Sequence, residues 1–542
     1  MARIPIRVTL DSANVPMVSY QAGPTMVAVK EGMAKLRAEI KPTDVPGELT
    51  EPQLIFAENV MPIPRGLTSI SYAAKVSGIS GATTFYKAGL YRTATNAVGY
   101  WALTTDGKLY TSPVTGVVWT DRTVVAWPDV IDITVAKING NTYFYVSFYG
   151  CYKFNDDGTI TAVVLTGLTA SNIKGIAAAT GRLFAYTSTF LHYCSELSLF
   201  DFTPSLATGA GSTQIQYVRG DILFAEGTSF GLFIYSKENV VSCQETGNIA
   251  APYLFTEVEN SAGIANGELI ASAPGLDSVY AFGPGGLQLV GLKSAIPIFP
   301  EVSDFMALRS IENYNYSTHR IEKSSFLSRL KVKISYVCSR YLVISYGISV
   351  LSFMLVYDSA LRRWGKLRKD HVDVFTISEA LTAGGYLQFD QMVIPGDTVL
   401  IPADETKVQV DAVLSNQETF AVMGANGAIS LVDFNLYGAA QNTSVAVFGR
   451  VQLRRGRDCT VHEVWLEGLS GGGDFSFVGD SAALRGAVFS APTELYLDMY
   501  DTDSMYAVYL GSTVGTNHNI HIEGMFDLTG LTLTLVPEGV SA

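Results

Sequence analysis

Apolar runs of strand length recur through the middle of the chain, each closed by a short polar or glycine-bearing turn, which is the pattern of buried strands in a meander. The most regular is Tyr341-Leu-Val-Ile-Ser-Tyr-Gly347, followed by Ser352-Phe-Met-Leu-Val-Tyr-Asp358 and by a third run within Ser359-Ala-Leu-Arg-Arg-Trp-Gly-Lys-Leu367. Weaker versions lie on both sides. Trp101 to Tyr110 turns at Asp106-Gly107, and Tyr143 to Phe154 leads into Asp157-Gly158. Gly181 to Tyr186 stands with Leu199-Phe-Asp-Phe202, and Leu232 to Tyr235 with Glu238-Asn-Val-Val241. Val279 to Phe282 stands with Gly285 to Leu289, and Thr419 to Val422 with Asn426 to Ile429. The early turns recur every roughly forty to fifty residues, the length of a four-stranded propeller blade, where a sandwich or solenoid would repeat sooner. Residues 61–435 therefore predict a β-propeller of six to eight blades, with a series of unrelated β-domains as the alternative.

Three stretches depart from that rhythm. In residues 1–60, Met26, Val29, Met33, Leu36 and Ile40 recur at spacings of three and four, which predicts an amphipathic helix. Thr25 is its N-cap, Glu31 and Lys35 are an i,i+4 pair, and Pro42 stops it. This N-terminal arm lies on its own domain or on a neighbouring subunit. Residues 295–333, with Pro297, Pro300 and Glu312-Asn-Tyr-Asn-Tyr-Ser317, predict a long inserted loop without regular structure, poorly ordered in the free chain. Beyond residue 436, runs at 445–448, 464–466, 475–477, 494–497, 506–510, 520–523 and 531–535 predict a C-terminal β-sandwich over 436–542. The fold class is all-β, a propeller with a short helical arm and a sandwich.

Composition agrees, with 28 Tyr, 27 Phe and 50 Gly favouring pleated strands and tight turns. Charged residues make up 16% of the chain, below the ~25% of an ordinary soluble domain, so much of the surface is neutral. The net charge of −13 argues against a protein that coats nucleic acid. One segment runs the other way: Arg309 to Lys369 carries +9, which leaves −22 on the rest. A basic segment in an acidic chain marks a contact surface, for which the candidate residues are Arg320, Lys323, Arg329, Lys331, Lys333, Arg362 and Arg363. Arg454, Arg455 and Arg457 form a smaller cluster.

The 5 cysteines are far apart, with no Cys-x-x-Cys pair, and read as buried free thiols of a reducing cytoplasm. Met1 to Arg7 has no apolar core of signal-peptide kind, and Tyr341 to Val356 is shorter than the ~20 residues of a membrane helix. Stable membrane insertion is not expected.

Signatures of catalysis fail one by one. Asn155-Asp-Asp-Gly-Thr-Ile160 lacks the serine and tryptophan of the turn found in glycan-cleaving propellers and reads as a plain Asp-Gly turn. Asp498, Asp501 and Asp503 sit in a polar loop pattern, and paired acids for glycoside hydrolysis require a geometry that spacing does not give. His518 and His521, three apart on a strand, face opposite ways. Gly468-Leu-Ser-Gly-Gly472 matches a nucleophile elbow in letters, but it leads into a strand where an elbow opens a helix. The expectation is no enzyme, no cofactor and no metal.

Several segments, in order, resemble the tail hub or nozzle (packaged-DNA stabilisation) proteins of short-tailed bacteriophages. They are Gly181-Arg-Leu-Phe-Ala-Tyr186 with Ser198-Leu-Phe-Asp-Phe-Thr-Pro204, Asp221-Ile-Leu-Phe-Ala225, Phe233 to Val241 with Gln244-Glu-Thr-Gly247 and Ser261-Ala-Gly-Ile264, and Tyr341-Leu-Val-Ile344 with Leu355-Val-Tyr-Asp-Ser359 and Trp364. They span roughly residues 180–370, with the Val-Tyr-Asp…Trp pairing as the most specific part. The resemblance implies a virion protein assembled in the host bacterial cytoplasm as a ring, a hexamer in that family. Its place is the distal end of the tail, where it retains and then conducts double-stranded DNA during ejection. Adjacent tail proteins (adaptor, fibre or spike) are the implied partners. The long arm and C-terminal sandwich depart from the family's compact members and leave the station along the tail open. The alternative reading is a propeller at the tail tip that binds or cuts host glycan.

Overall fold

The computed structural model describes residues 4–9, 37–39, 53–379 with short interruptions, 417–433, and a set of segments between 444 and 537. Seven four-stranded antiparallel meanders follow one another, over residues 85–121, 133–163, 175–214, 224–257, 270–297, 331–371 and 373–433, numbered here as blades 1 to 7. The seventh blade takes its outermost strand from the N-terminal side, Ser71–Val76, paired with Ile429–Asp433. The protein is a seven-bladed β-propeller closed by strand exchange between distant parts of the chain.

Packing explains the strand composition. The second and third strands of a blade are covered on both faces by its neighbours, so they need no polar side. Arg182–Tyr186, Leu232–Tyr235 and Tyr341–Gly347 are buried almost throughout. Innermost strands such as Lys331–Val337 mix buried and wet positions. One apolar cluster lies between each pair of adjacent blades. Tyr91, Trp101 and Phe144 join blades 1 and 2, and Val76, Phe85, Tyr100 and Met423 join blades 7 and 1, so the circle has no open side. Burying each such side chain is worth about 1.5–3 kcal/mol.

Each strand expected beyond residue 436 is a strand, and together they make two antiparallel sheets with N-terminal strands woven in. Ile4–Thr9 pairs with Gly530–Pro537 in one sheet. Gln53–Glu58 pairs with Val445–Val451 in the other. Arg37–Glu39, expected as the end of the helix, is a short strand on the edge of Ile4–Thr9, whose open backbone groups it satisfies. The rest of the predicted helix lies outside the described residues.

The 295–333 segment is not a structureless loop. It holds Ala295–Pro297 as the outermost strand of blade 5, a helix Pro300–Ala307 and a hairpin of Ser310–Asn315 with Arg320–Ser325, and its last residues open blade 6. Apolar contacts order it. Val302 and Phe305 pack into the blade 5–6 core, and Tyr314 packs on Phe56, Val445 and Val447 of the terminal sheet. Leu199 to Phe202 is likewise no strand. It lies in the connection from Phe190–Tyr193 to Gly211–Gln214, and Phe202 is buried in the blade 2–3 core.

Candidate functional site

Blade 6 builds the Val-Tyr-Asp…Trp unit as a turn. Asp358 is buried and takes two bonds from Arg340, Nε at 2.9 Å and Nη2 at 2.6 Å, a fork geometry that favours both partners. The amides of Ala360 and Leu361 donate to the same carboxylate at 2.9 and 3.1 Å. Tyr357 lies opposite Trp364 with ring centroids 5.1 Å apart, and Phe299 from the inserted segment closes over both. The motif read from the sequence is thus one hydrogen-bonded and stacked element.

The candidate contact residues divide. Arg320, Lys331 and Arg362 are exposed, and Arg362 stands at φ 56° in the turn before Arg363; Lys323 is exposed too, but its ammonium lies 3.5 Å from the buried carboxylate of Glu312. Arg329 lies outside the described residues. Lys333 and Arg363 do not serve as contact residues because they are consumed inside the chain. Lys333 is buried and forms a 2.7 Å ion pair with Asp373, whose carboxylate also takes the Ala88 amide at 3.0 Å, so one pair ties blades 6, 7 and 1. Arg363 is buried and donates to the carbonyl of Ile63.

Charges at the hairpin join propeller to terminal sheets. Lys366 is buried, donates to the Glu312 carbonyl at 3.2 Å and lies 4.4 Å over the Phe56 ring. Burial pushes its ammonium down, opposed by Glu58 and Glu312. Glu58 is fully buried with Arg368 at 3.1 Å, and burial pushes its carboxyl up against the pull of Lys366 and Arg368. The Tyr314 hydroxyl donates to Glu523 at 2.6 Å and stands 2.6 Å from Nδ1 of His521. Its single proton being committed, it accepts from that nitrogen. His319 Nδ1 donates to Glu523 at 2.7 Å. These four residues form one hydrogen-bonded cluster that holds the hairpin to the terminal sheet. Among the described residues no group of three or more His, Cys, Asp or Glu is placed to hold a metal. Residues 501, 503 and 468–472 lie outside the described set.

The innermost strands enclose a channel of about 870 Å³ lined by Lys87, Arg92, Lys137, Glu226, Glu268 and Asp373, among others. That is the size of a small-ligand cavity. Lys87 donates to the Ile133 carbonyl at 2.6 Å, and Glu226 accepts from Ser272 at 2.7 Å. The walls displace most bulk water, which pushes the Lys87 and Lys137 ammoniums down and the Glu226 carboxyl up, although the Lys137 tip is wet. Sequence reasoning missed these residues because a single charge inside an innermost strand looks like any solvated position.

No protein-family model matches this sequence, and no curated protein matches it. Solved structures similar in part include U3-55K, at TM-score 0.37 and 7% identity over 67% of this chain and 98% of that one. YCF48 from Cyanidioschyzon merolae is similar at TM-score 0.36 and 12% identity over 66% and 98%. BamB from Moraxella catarrhalis is similar at TM-score 0.29 and 8% identity over 62% and 81%. None of these likenesses bears on what the chain does.

Proposed function

We propose that the chain is a structural virion protein of a short-tailed phage, part of the ring-shaped hub or nozzle that retains DNA and conducts it during ejection. Its role is mechanical rather than catalytic. The observation that carries the reading is the placement of the resembling segments. They fall in order on blades 3 and 4, on the connection that follows blade 4, and on blade 6, and the Val-Tyr-Asp…Trp residues form one built turn. A propeller closed by its own N-terminal strand supports it as a rigid unit for repeated assembly. Low surface charge with exposed apolar positions supplies lateral contacts. Copies of the chain, six by the resemblance, form a closed ring, and Arg320, Lys331 and Arg362 meet an acidic neighbour, which sets association rate and its salt dependence. The duplex runs along the axis between subunits, because a channel of about 870 Å³ inside one propeller is of small-ligand size. The ring's lumen is neutral to acidic, which keeps DNA from sticking.

Purified particles carrying a label at the C-terminus, imaged at low resolution, test this. The expected result is a ring at the distal tail. Particles that lack the protein, or that hold it only as monomer, refute it.

A further inference from the structure

Phe148 stands at φ 66°, a region that a bulky residue enters only when its surroundings force it, at a cost of about 1–3 kcal/mol. It lies in the turn between the second and third strands of blade 2, Asn141–Val146 and Gly150–Phe154. Four hydrogen bonds hold that turn, one of them from the Ser147 amide to the Asp132 carbonyl at 3.0 Å. The Phe148 amide donates to Ile173 at 3.0 Å, the Tyr149 amide donates to Val146 at 2.9 Å, and the Ser147 hydroxyl donates to the Lys174 carbonyl. The strain does not serve burial, since Phe148 remains 51% and Tyr149 45% exposed.

The same loops continue rigidly into blade 3. Lys174 Nζ reaches Asp221 at 3.4 Å and the Ile222 carbonyl at 3.3 Å. The Ile222 amide donates to Ser188 at 2.8 Å, and the Ile215 amide to Thr189 at 3.3 Å. These bonds fix the connection that carries Tyr217, 55% exposed, against the turn that leads into Phe190, 39% exposed. Four aromatic rings thus share one face of the propeller on two adjacent blades, on a backbone locked before any partner arrives.

The chemistry around them selects the ligand. The cations are neutralised locally, Lys174 by Asp221 and Arg219 by Glu257 at 2.8 Å. Stacking platforms for nucleic acid need a positive groove for the phosphates, and none runs here. Exposed neutral groups do: Asn172, Thr189, Gln214 and Gln216. The electron-rich face of an aromatic ring attracts C–H edges, and amides and hydroxyls beside it bond to sugar hydroxyls. We propose that this platform over blades 2 and 3 binds a neutral oligosaccharide, its sugar rings stacked on Phe148, Tyr149, Phe190 and Tyr217. Pre-organisation lowers the ordering cost that a flexible surface would meet on binding. The site is independent of ring assembly and stands or falls separately from it.

The test uses the full chain on an array of neutral and anionic bacterial oligosaccharides, followed by calorimetry with the best neutral binder. A neutral oligosaccharide is expected to bind. Phe148→Gly combined with Tyr217→Ala is expected to weaken it at least tenfold with an unchanged thermal transition, because glycine accepts the same turn without strain. If that pair unfolds the chain, Tyr217→Ala alone gives the same reading. An array with no neutral binder, binding of polyanions only, or full affinity in the folded variant overturns the proposal. So does concentration-dependent self-association lost in the variant without any sugar binding, which would make this face a contact between copies.

Discussion

His371 shows how far a single buried group is determined by its neighbours. Its Nδ1 lies 2.7 Å from the carbonyl of Lys369, which can only accept, so Nδ1 carries the proton. Nε2 then takes the Ser345 hydroxyl at 2.8 Å, and the ring is neutral with both nitrogens satisfied. Burial pushes the imidazole down to about 4. The unfolded chain protonates near pH ~6.5, above the folded value, so the stability this residue contributes is complete above that pH and is lost as pH falls towards 4. Over that window the loss is on the order of 2–3 kcal/mol. Urea unfolding of wild type and His371→Gln between pH 7 and pH 4 isolates it, and the wild type should lose stability more steeply. Parallel curves would mean that the histidine is charged or wet in the folded state. Burial likewise pushes the Cys151 and Cys338 thiols up to about 12, which makes them weak nucleophiles at neutral pH.

At the scale of elements, the hairpin of Ser310–Asn315 and Arg320–Ser325 is a strut between propeller and terminal sheets. Deleting residues 312–325 removes Tyr314 from the Phe56 contact and strips Lys366 of a carbonyl partner and a nearby carboxylate. Removing one partner of a buried charge typically costs about 3–5 kcal/mol. The deletion should therefore lower the thermal transition clearly, and a transition within a degree or two of wild type would mean that the segment is only a spacer. The sequence made this hairpin look like a loop because its own pattern is polar. Its order comes from Phe56 and Val447, which lie more than a hundred residues away in the chain. The blades were legible for the opposite reason. In every blade the second strand, largely buried and apolar, is among the legible runs, often with the third strand and in blade 6 with the fourth, whereas the innermost strands carry mixed patterns that single-sequence reading passes over. In blade 3 a distant apolar run, Leu199 to Phe202, was paired in place of Phe190–Tyr193 because it is the more hydrophobic text. The contact residues were legible as charges but not as surface. Nothing in the local sequence distinguishes Lys331, which is exposed, from Lys333, which turns inward to Asp373. The aromatic platform was missed because Phe148 and Tyr149 continue an apolar run that looks like strand.

At the scale of the molecule, the outer edge of the last of seven blades is completed by Ser71–Val76, which returns to pair with Ile429–Asp433. Val76 enters the apolar cluster between blades 7 and 1 with Phe85, Tyr100 and Met423, so the closing strand contributes to the ladder of one blade and to the packing of the next. Without it the outer edge of blade 7 is open to water, and the contact between first and last blades rests on apolar side chains and a few hydrogen bonds, among them the Phe85 amide to the Ala425 carbonyl at 2.8 Å and Trp119 Nε1 to the Gly427 carbonyl at 2.9 Å. Each blade touches only its neighbours, and a ring differs from a linear array by that one added interface. Two truncations separate this effect from the rest of the terminal architecture. A chain of residues 71–435 keeps all the propeller strands, whereas residues 77–435 lack only the closing strand. The longer chain should unfold in one transition seen alike by calorimetry and near-ultraviolet circular dichroism. The shorter should unfold at lower temperature and non-coincidently, with the first and last blades opening first, the hydrogen exchange of residues 85–121 and 417–433 rising ahead of residues 175–257. Equal, coincident transitions in the two chains would show that packing between blades closes the ring without the exchanged strand.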